Sequence, residues 1–445
     1  MVMARKDMSK GLLVEDAWVF TDLSKETPAE LTISIHEGRI AALGSKEEMR
    51  QRFPQAESIS LPGYLVMPGL INAHMHASMS FFRGLGQAQG PNNKRDSSMI
   101  ENFFFPAEQS LTPDLIEALS YPYLVDALKS GTTSCVDAYF FIDGVAKALE
   151  RLGMRGFIGE HIADQGGPHP AGKETWHHFR NKIENWPYSS RVKPVVYAHA
   201  TDTVSKGLLQ ELGQFAKANA LPFHMHLSQT WGERERVINQ TGMSPVRLAY
   251  EAGVIHDRSL LVHLVSADRA DLELISQQGA LVGLCPVSEI IYENLPDLKN
   301  FFELKMRIAL GTDCAASNDG ADLLNEARSM ALLARHSGFP LSAFDLGAMV
   351  LGEAAQLLAP RDLGSIDVGK AADFVCIRLG IETYPWTRSL TNLFFSGVSR
   401  QVEHVMIDGH WVLWSRQLVQ VSESDLIEEF EKALGQLRMR SSLPI

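Results

Sequence analysis

Eight short apolar runs, separated by helical patterns, occupy the middle of this chain, and each finishes in residues able to bind or react. They end at INAHMH, TTSCVDAY, RGFIGEHI, PVVYAHA, PFHMHLS, LLVHLVS, LVGLCP and RIALGTD. Alternation of this kind predicts a parallel α/β sheet, because adjacent parallel strands need a crossover long enough to hold a helix. Eight units predict a (β/α)8 TIM-type barrel. In that architecture the carboxyl ends of all strands converge on one face, so residues far apart in sequence share a single site. An open doubly wound sheet is the alternative, but no glycine-rich phosphate fingerprint supports it.

The flanks have a different texture. LLVEDAWVF and LTISIHEGRIAAL near the start, and SIDVGKAADFVCIRL and VEHVMIDGHWVLWS near the end, are strand-like runs broken by Gly and Asp turns. Two such separated segments predict one small β-sandwich. The expected division is residues 1–66 for its N-terminal part, 67–362 for the barrel, and 363–445 for its C-terminal part plus a terminal helix. That helix is read from SESDLIEEFEKALGQLRMR, where Leu426, Phe430 and Leu434 recur at four-residue intervals. A chain of 445 residues accommodates a barrel of about 250 residues and such a companion.

A formal charge of −12 disfavours a nucleic-acid partner, which needs a concentrated basic surface, and favours a small-molecule substrate. The four cysteines stand far apart without CxxC spacing, so neither a disulfide framework nor a thiolate metal site is indicated, and a cytoplasmic location is expected. MVMARKDMSKGLL lacks the apolar core of a secretory signal and no later stretch reads as a spanning helix, so no membrane association is expected.

The chemistry gathers at the strand ends. In His74-Met75-His76 the alternation of a strand points both imidazoles to one side, where they can share a cation. A second pair, His224-Met225-His226, ends the fifth run; His263 ends the sixth and Asp313 ends the eighth. Of the second pair, His226 is expected to face the metal and His224 to face away. Neutral imidazoles with a carboxylate suit Zn2+, and also Fe2+ or Mn2+. The fourth run, VVYAHA, offers no lysine for a bridging carboxylate, so one divalent metal is expected. Such a cation acidifies water and polarises an electrophile, while Asp313 can accept the water proton and His263 can shuttle or stabilise charge.

PGLINAHMHASMSFFRGL, GTTSCVDAY, FHMHLSQ, VHLVSADRADLELIS, GTDCAASND and LGSIDVGKAADFV resemble successive motifs of the amidohydrolase superfamily, across nearly the whole chain. The chain is most similar to the cytosine deaminase-like branch, which includes methylthioadenosine/S-adenosylhomocysteine deaminases, guanine deaminases and triazine hydrolases. The resemblance implies metal ligation by His74, His76, His226 and Asp313, proton transfer by His263 and Asp313, and assembly as a homodimer or larger homo-oligomer. It also exposes departures. Where the branch has HxHxxE, this chain has Gln229, which hydrogen-bonds but does not titrate near neutral pH. Where HCPxSN is common, LCPVSE places Leu284 and Glu289.

Substrate contacts are expected at Glu108, since FFFPAE resembles a segment whose glutamate holds ribose hydroxyls, and at His199 after the fourth run. After MRGFI, where adenosylhomocysteine deaminases often carry an arginine, Glu160 and His161 disfavour an acidic substrate tail; Glu160 and Glu289 are taken as contacts for a basic or amine-bearing ligand. His169, His177 and His178 are expected at the solvent, and Cys285 and Cys314 as buried packing. The Phe81-Phe82 and Phe103–Phe105 runs suit an aromatic pocket and core packing equally. The function expected is metal-dependent hydrolysis of a C–N bond of an amino-substituted N-heterocycle or guanidine-like molecule. The alternatives are hydrolytic displacement of another leaving group, as in triazine chlorohydrolases, or a degenerate homologue that binds metal and ligand without turnover.

Overall fold

The computed structural model describes residues 10–85, 100–169, 172–292, 294–385 and 389–441. All eight apolar runs form parallel strands: Leu70–Met75, Thr132–Tyr139, Arg155–Glu160, a fourth split into Val192–Pro194 and Val196–Ala198, Phe223–Leu227, Ser259–His263, Leu281–Leu284 and Arg307–Leu310. The first three and Val192–Pro194 pair in sequence order as one sheet, and the remainder as another. The two meet at both edges. On one side Val195 N donates to Ile158 O at 2.9 Å, and on the other Thr312 N and Asp313 N both donate to His74 O at 3.1 Å. The result is a TIM-barrel-like α/β fold.

The helices between strands follow from amphipathic spacing. Lys206–Ala218 opens with Ser205 as N-cap, whose side chain accepts from Leu208 N, and it buries Leu208, Leu209, Leu212 and Ala216 on one face. Arg269–Gln278 opens with a capping box in which Asp268 and Asp271 bond reciprocally. The terminal helix Glu423–Arg440 buries Leu426 and Leu434 with Phe430 half-buried, and Lys129 and Arg151 hold it through Glu423 at 2.6 Å and Glu429 at 2.7 Å. Among the described residues no helix is long and apolar enough to cross a membrane.

The N- and C-terminal strands join through Tyr64–Pro68, which pairs antiparallel with Phe374–Arg378. Two stacked sheets were the expectation; instead one hydrogen-bonded path runs through eight of the terminal strands, and the ninth, Glu57–Ser60, pairs alongside Leu12–Val19. Register irregularities at Val14/Ala17, Ser34/Ile35, Cys376/Ile377 and Val405/Met406 sharpen the twist, and one face of the sheet curls over an apolar core containing Ile33, Val66, Phe374 and Trp411. Its two outer hairpins therefore touch. A Cβ on Gly409 would lie 2.6 Å from Gly38 Cα, so glycine is required at that contact.

Arg155, on the third parallel strand, ties this sheet to the rest. Its Nε and a terminal nitrogen lie 2.8 and 3.1 Å from the two carboxylate oxygens of Asp373, and both side chains are buried. Asp373 also accepts the Asp408 N–H at 2.7 Å. Removing one partner strands a buried charge, which costs about 3–5 kcal/mol. Asp373→Ala and Arg155→Ala are each expected to lower the thermal midpoint by several degrees, and the apolar pair Arg155→Met with Asp373→Leu to recover much of the loss. Single variants melting with the wild type would refute this role.

Candidate metal centre

His74 and His76 leave the first parallel strand on the same side, and His226 meets them from the fifth. His226 Nε2 lies 3.2 Å from His74 Nε2 and 3.3 Å from His76 Nε2. Asp313 Oδ1 completes the group, 3.7 Å from His74 Nε2 and 3.6 Å from His76 Nε2. Asp313 reaches this point because the chain after the eighth strand presses against His74. A Cβ on Gly311 would sit 2.6 Å from His74 O, so only glycine allows the approach. A parallel bridge between Met75 and Asp313, with Asp313 at a left-handed φ of 57°, then turns the carboxylate inward.

The far side of each donor is held. His76 Nδ1 lies 2.6 Å from Ala138 O, a carbonyl that only accepts, so Nδ1 carries the proton and Nε2 keeps a lone pair. His226 Nδ1 is 3.1 Å from the Tyr197 hydroxyl, and His74 Nδ1 is 3.0 Å from His224 Nε2. Asp313 Oδ2 accepts from Ser288 Oγ at 2.6 Å and from Ser317 Oγ at 3.1 Å. Burial pushes the imidazoles toward the neutral form: His74 falls to about 3, aided by neighbouring His76, and His226 lies well below its ordinary value. Burial also opposes ionisation of Asp313, but the contact with His74 and the neighbouring His263 and His76 outweigh it and hold the carboxyl below the usual range. Lone pairs facing one another at such distances repel unless a cation lies among them. A tetrahedral site with arms of about 2.0–2.1 Å has edges of about 3.3–3.4 Å, which the separations between imidazoles match and those to Asp313 exceed by about 0.3 Å.

A cavity opens over the cluster, with His76, His226 and Asp313 in its wall. Of the expected substrate contacts, Glu108 and His199 line it too, as does Gln229, which stands where the branch has its catalytic glutamate. Glu108 is buried, receives the Tyr139 hydroxyl at 2.6 Å, and is pushed up to about 7 by desolvation. His199 is held by Thr203 Oγ1 at 2.7 Å, and desolvation lowers it to about 4. Gln229 is fixed through its backbone, which donates to Glu233 at 2.7 Å while Thr230 caps the next helix. Phe104, Phe105, Tyr139 and Phe140 supply aromatic walls.

Glu160 and Glu289, expected as substrate contacts, do not line this cavity. Glu160 turns to a neighbouring hollow and accepts the Phe141 and Ile142 N–H groups at 2.8 and 3.2 Å, the unsatisfied donors at a helix start. Glu289 is buried behind the cluster, 3.3 Å from His263 Nδ1. His263 lies beside the ligand group, a ring nitrogen within 4.8 Å of those of His74 and His226, and its ring stacks on His226. His177 and His178 are exposed, but His169 is half-buried and contacts Glu108 O at 3.0 Å. Cys285 and Cys314 are buried, and desolvation pushes both thiols up, which suits packing rather than nucleophilic attack.

Three participants had gone unassigned. His224 does not face away: Phe223–Leu227 is an intact strand, so alternation points His224 inward with His226, one layer lower and against His74. The HMH spacing carried that signal. His161 and Tyr197 also line the cavity, and His161 packs its ring 4.5 Å from that of His199. GEHI and VVYAHA put both at strand ends, where inward-facing residues reach the site.

Residues 65–412 match the amidohydrolase family. The chain belongs to that family. It is 30% identical over 403 residues to the 5-methylthioadenosine/S-adenosylhomocysteine deaminase of Syntrophobacter fumaroxidans, covering 89% of this chain and 91% of that protein. Among solved structures it superposes with a TM-score of 0.88 on a zinc-bound adenosine deaminase from Xanthomonas campestris, at 26% identity and covering 96% of this chain and 98% of that one. The zinc complex of atrazine chlorohydrolase from Arthrobacter aurescens, at 21% identity, a TM-score of 0.82 and coverage of 95% and 100%, shares the fold. The amidohydrolase here is a metal-dependent hydrolase of C–N bonds.

If the converging atoms hold a metal, His74→Ala leaves well under one metal per chain by elemental analysis. His224→Ala, which removes only the group behind His74, weakens metal affinity by about 10- to 100-fold in a chelator competition. Full occupancy in His74→Ala would overturn the ligand set.

Proposed function

We propose that this amidohydrolase is a deaminase that uses one zinc ion, held by His74, His76, His226 and Asp313 at the mouth of a closed (β/α)8 barrel spanning residues 67–362, to hydrolyse an exocyclic amino group from an adenine-type N-heterocycle. The observation that carries the reading is the convergence of three imidazole Nε2 atoms and a carboxylate oxygen at 3.2–3.7 Å on the floor of the cavity. Zinc in the Xanthomonas enzyme supports the choice of metal, and the named activities of that enzyme and of the Syntrophobacter relative support the base. Among the described lining residues there is no Lys or Arg, which supports a substrate without a carboxylate tail. Four free, buried cysteines support a cytoplasmic setting.

When bound, the cation lowers the pKa of a water and polarises the electrophile. Asp313 Oδ2 is occupied by Ser288 and Ser317, which leaves Oδ1, on the ligand side, to take the water's proton. His263 passes a proton toward the departing nitrogen, so that water oxygen replaces nitrogen on carbon and ammonia leaves. Gln229 donates or accepts a hydrogen bond at the ring but carries no proton. Glu108 holds substrate hydroxyls, and the aromatic walls exclude water from the base.

Metal-loaded protein is expected to release ammonia from at least one adenine derivative in an amino-heterocycle panel, and to lose that activity when the metal is chelated. Folded, metal-loaded protein that hydrolyses no C–N bond would refute the proposal. Halide release from a chloro-heterocycle without ammonia release from its amino counterpart would replace deamination by the chlorohydrolase reaction. Activity appearing only in Gln229→Glu would identify a degenerate enzyme.

A further inference from the structure

We propose that Glu289 is a positioning residue that fixes the tautomer and rotation of His263, so that Nε2 of His263 presents a lone pair toward the point where His74 and His226 converge. The inference rests on the proposed function for the role of His263, but its geometry stands independently. Glu289 and His263 side chains are each only 1% exposed, so water does not compete for their contact. Glu289 Oε1 lies 3.3 Å from His263 Nδ1, and the same oxygen accepts the Cys285 N–H at 3.0 Å. As a carboxylate oxygen, Oε1 accepts from the amide and can only accept from the imidazole as well. Nδ1 must then be the donor, which leaves the lone pair on Nε2.

The backbone agrees with a ring held in one orientation. His263 and Leu264 adopt left-handed φ values of 80° and 56°, an unfavourable pair for residues with side chains, and Leu264 N is anchored to Leu227 O at 3.1 Å. Strain of this kind persists where the surroundings dictate the conformation, and it gathers at functional sites. Ring stacking on His226, with centroids 5.5 Å apart and planes 19° apart, leaves rotation as the freedom to be fixed. Glu289 fixes it from the opposite edge. Where the family's common motif has asparagine, the longer glutamate spans the distance to His263. The same chain has Gln229 where a proton-carrying glutamate is usual, so proton movement falls to Asp313 and His263, and the orientation of His263 carries more weight.

The test uses full-length, metal-loaded protein with 15N-labelled histidine, the His263 signals being assigned by their loss in His263→Gln. Wild type is expected to show the Nδ1–H tautomer at His263. Glu289→Leu, which has no acceptor, is expected to lose that preference, keep one metal per chain, and lower kcat by roughly 10²- to 10⁴-fold on whichever panel compound releases ammonia. KM should stay within about threefold, because a misoriented proton carrier weakens the transition state rather than substrate binding. Glu289→Gln, which keeps an acceptor oxygen and the side-chain size, should restore part of both the tautomer signal and kcat; it is also the variant to read if Glu289→Leu does not fold. An Nε2–H tautomer in wild type, an unchanged His263 signal in the variants, or kcat within about twofold of wild type would overturn the proposal. So would loss of the metal together with activity. The nitrogen signals need no turnover, so they report on Glu289 even if the deaminase reading fails.

Discussion

Three imidazole nitrogens and a carboxylate oxygen face one another at 3.2–3.7 Å on the floor of a cavity, each side chain buried, and the surrounding structure is arranged to keep them there. Such a set is unfavourable by itself: lone pairs oppose lone pairs, and a buried carboxylate lacks solvation. A divalent cation makes it favourable. The supports follow from that requirement. Ala138 O fixes the proton of His76, His224 sits behind His74, Tyr197 sits behind His226, and two serines hold Asp313. Gly311 lets the eighth strand's end come close enough to the first for the carboxylate to join the histidines.

Much of this was legible in sequence because strand geometry is simple. A period of two puts His74 with His76 and, by the same rule, His224 with His226. The alternation of apolar runs with helical patterns marked the parallel strands of the central α/β unit, and the four-residue spacing of Leu426, Phe430 and Leu434 marked the terminal helix. What sequence did not reveal was how buried acids are satisfied. Glu160 and Glu289 stand at strand ends or just beyond, as cavity residues do, yet each is bound to backbone N–H groups or to His263 on the far side of its loop. Those partners are set by the path of the loop, which local pattern does not encode. The curl of the terminal sheet was hidden for a related reason, since bulges accumulate curvature that no individual strand announces.

The departures from the family motif form a connected set. Gln229 stands on the cavity wall with its backbone pinned by Glu233, and its side chain hydrogen-bonds without being able to move a proton. Leu284 ends the seventh strand fully buried, and five residues later Glu289 turns back to His263. One titratable group is missing from the front of the site while another has been added behind its histidine. The scaffold and donor set are those of a metal-dependent hydrolase, and the changes lie in how protons are handled around them.

The central claim is that the histidines and Asp313 enclose the metal. X-ray absorption at the edge of the bound metal tests it directly, because it counts imidazole neighbours and separates light-atom from sulfur ligands. The account predicts only light-atom neighbours, three imidazole nitrogens and carboxylate or water oxygen at about 2.0–2.2 Å. A sulfur shell at about 2.3 Å, or a histidine count below three, would contradict it.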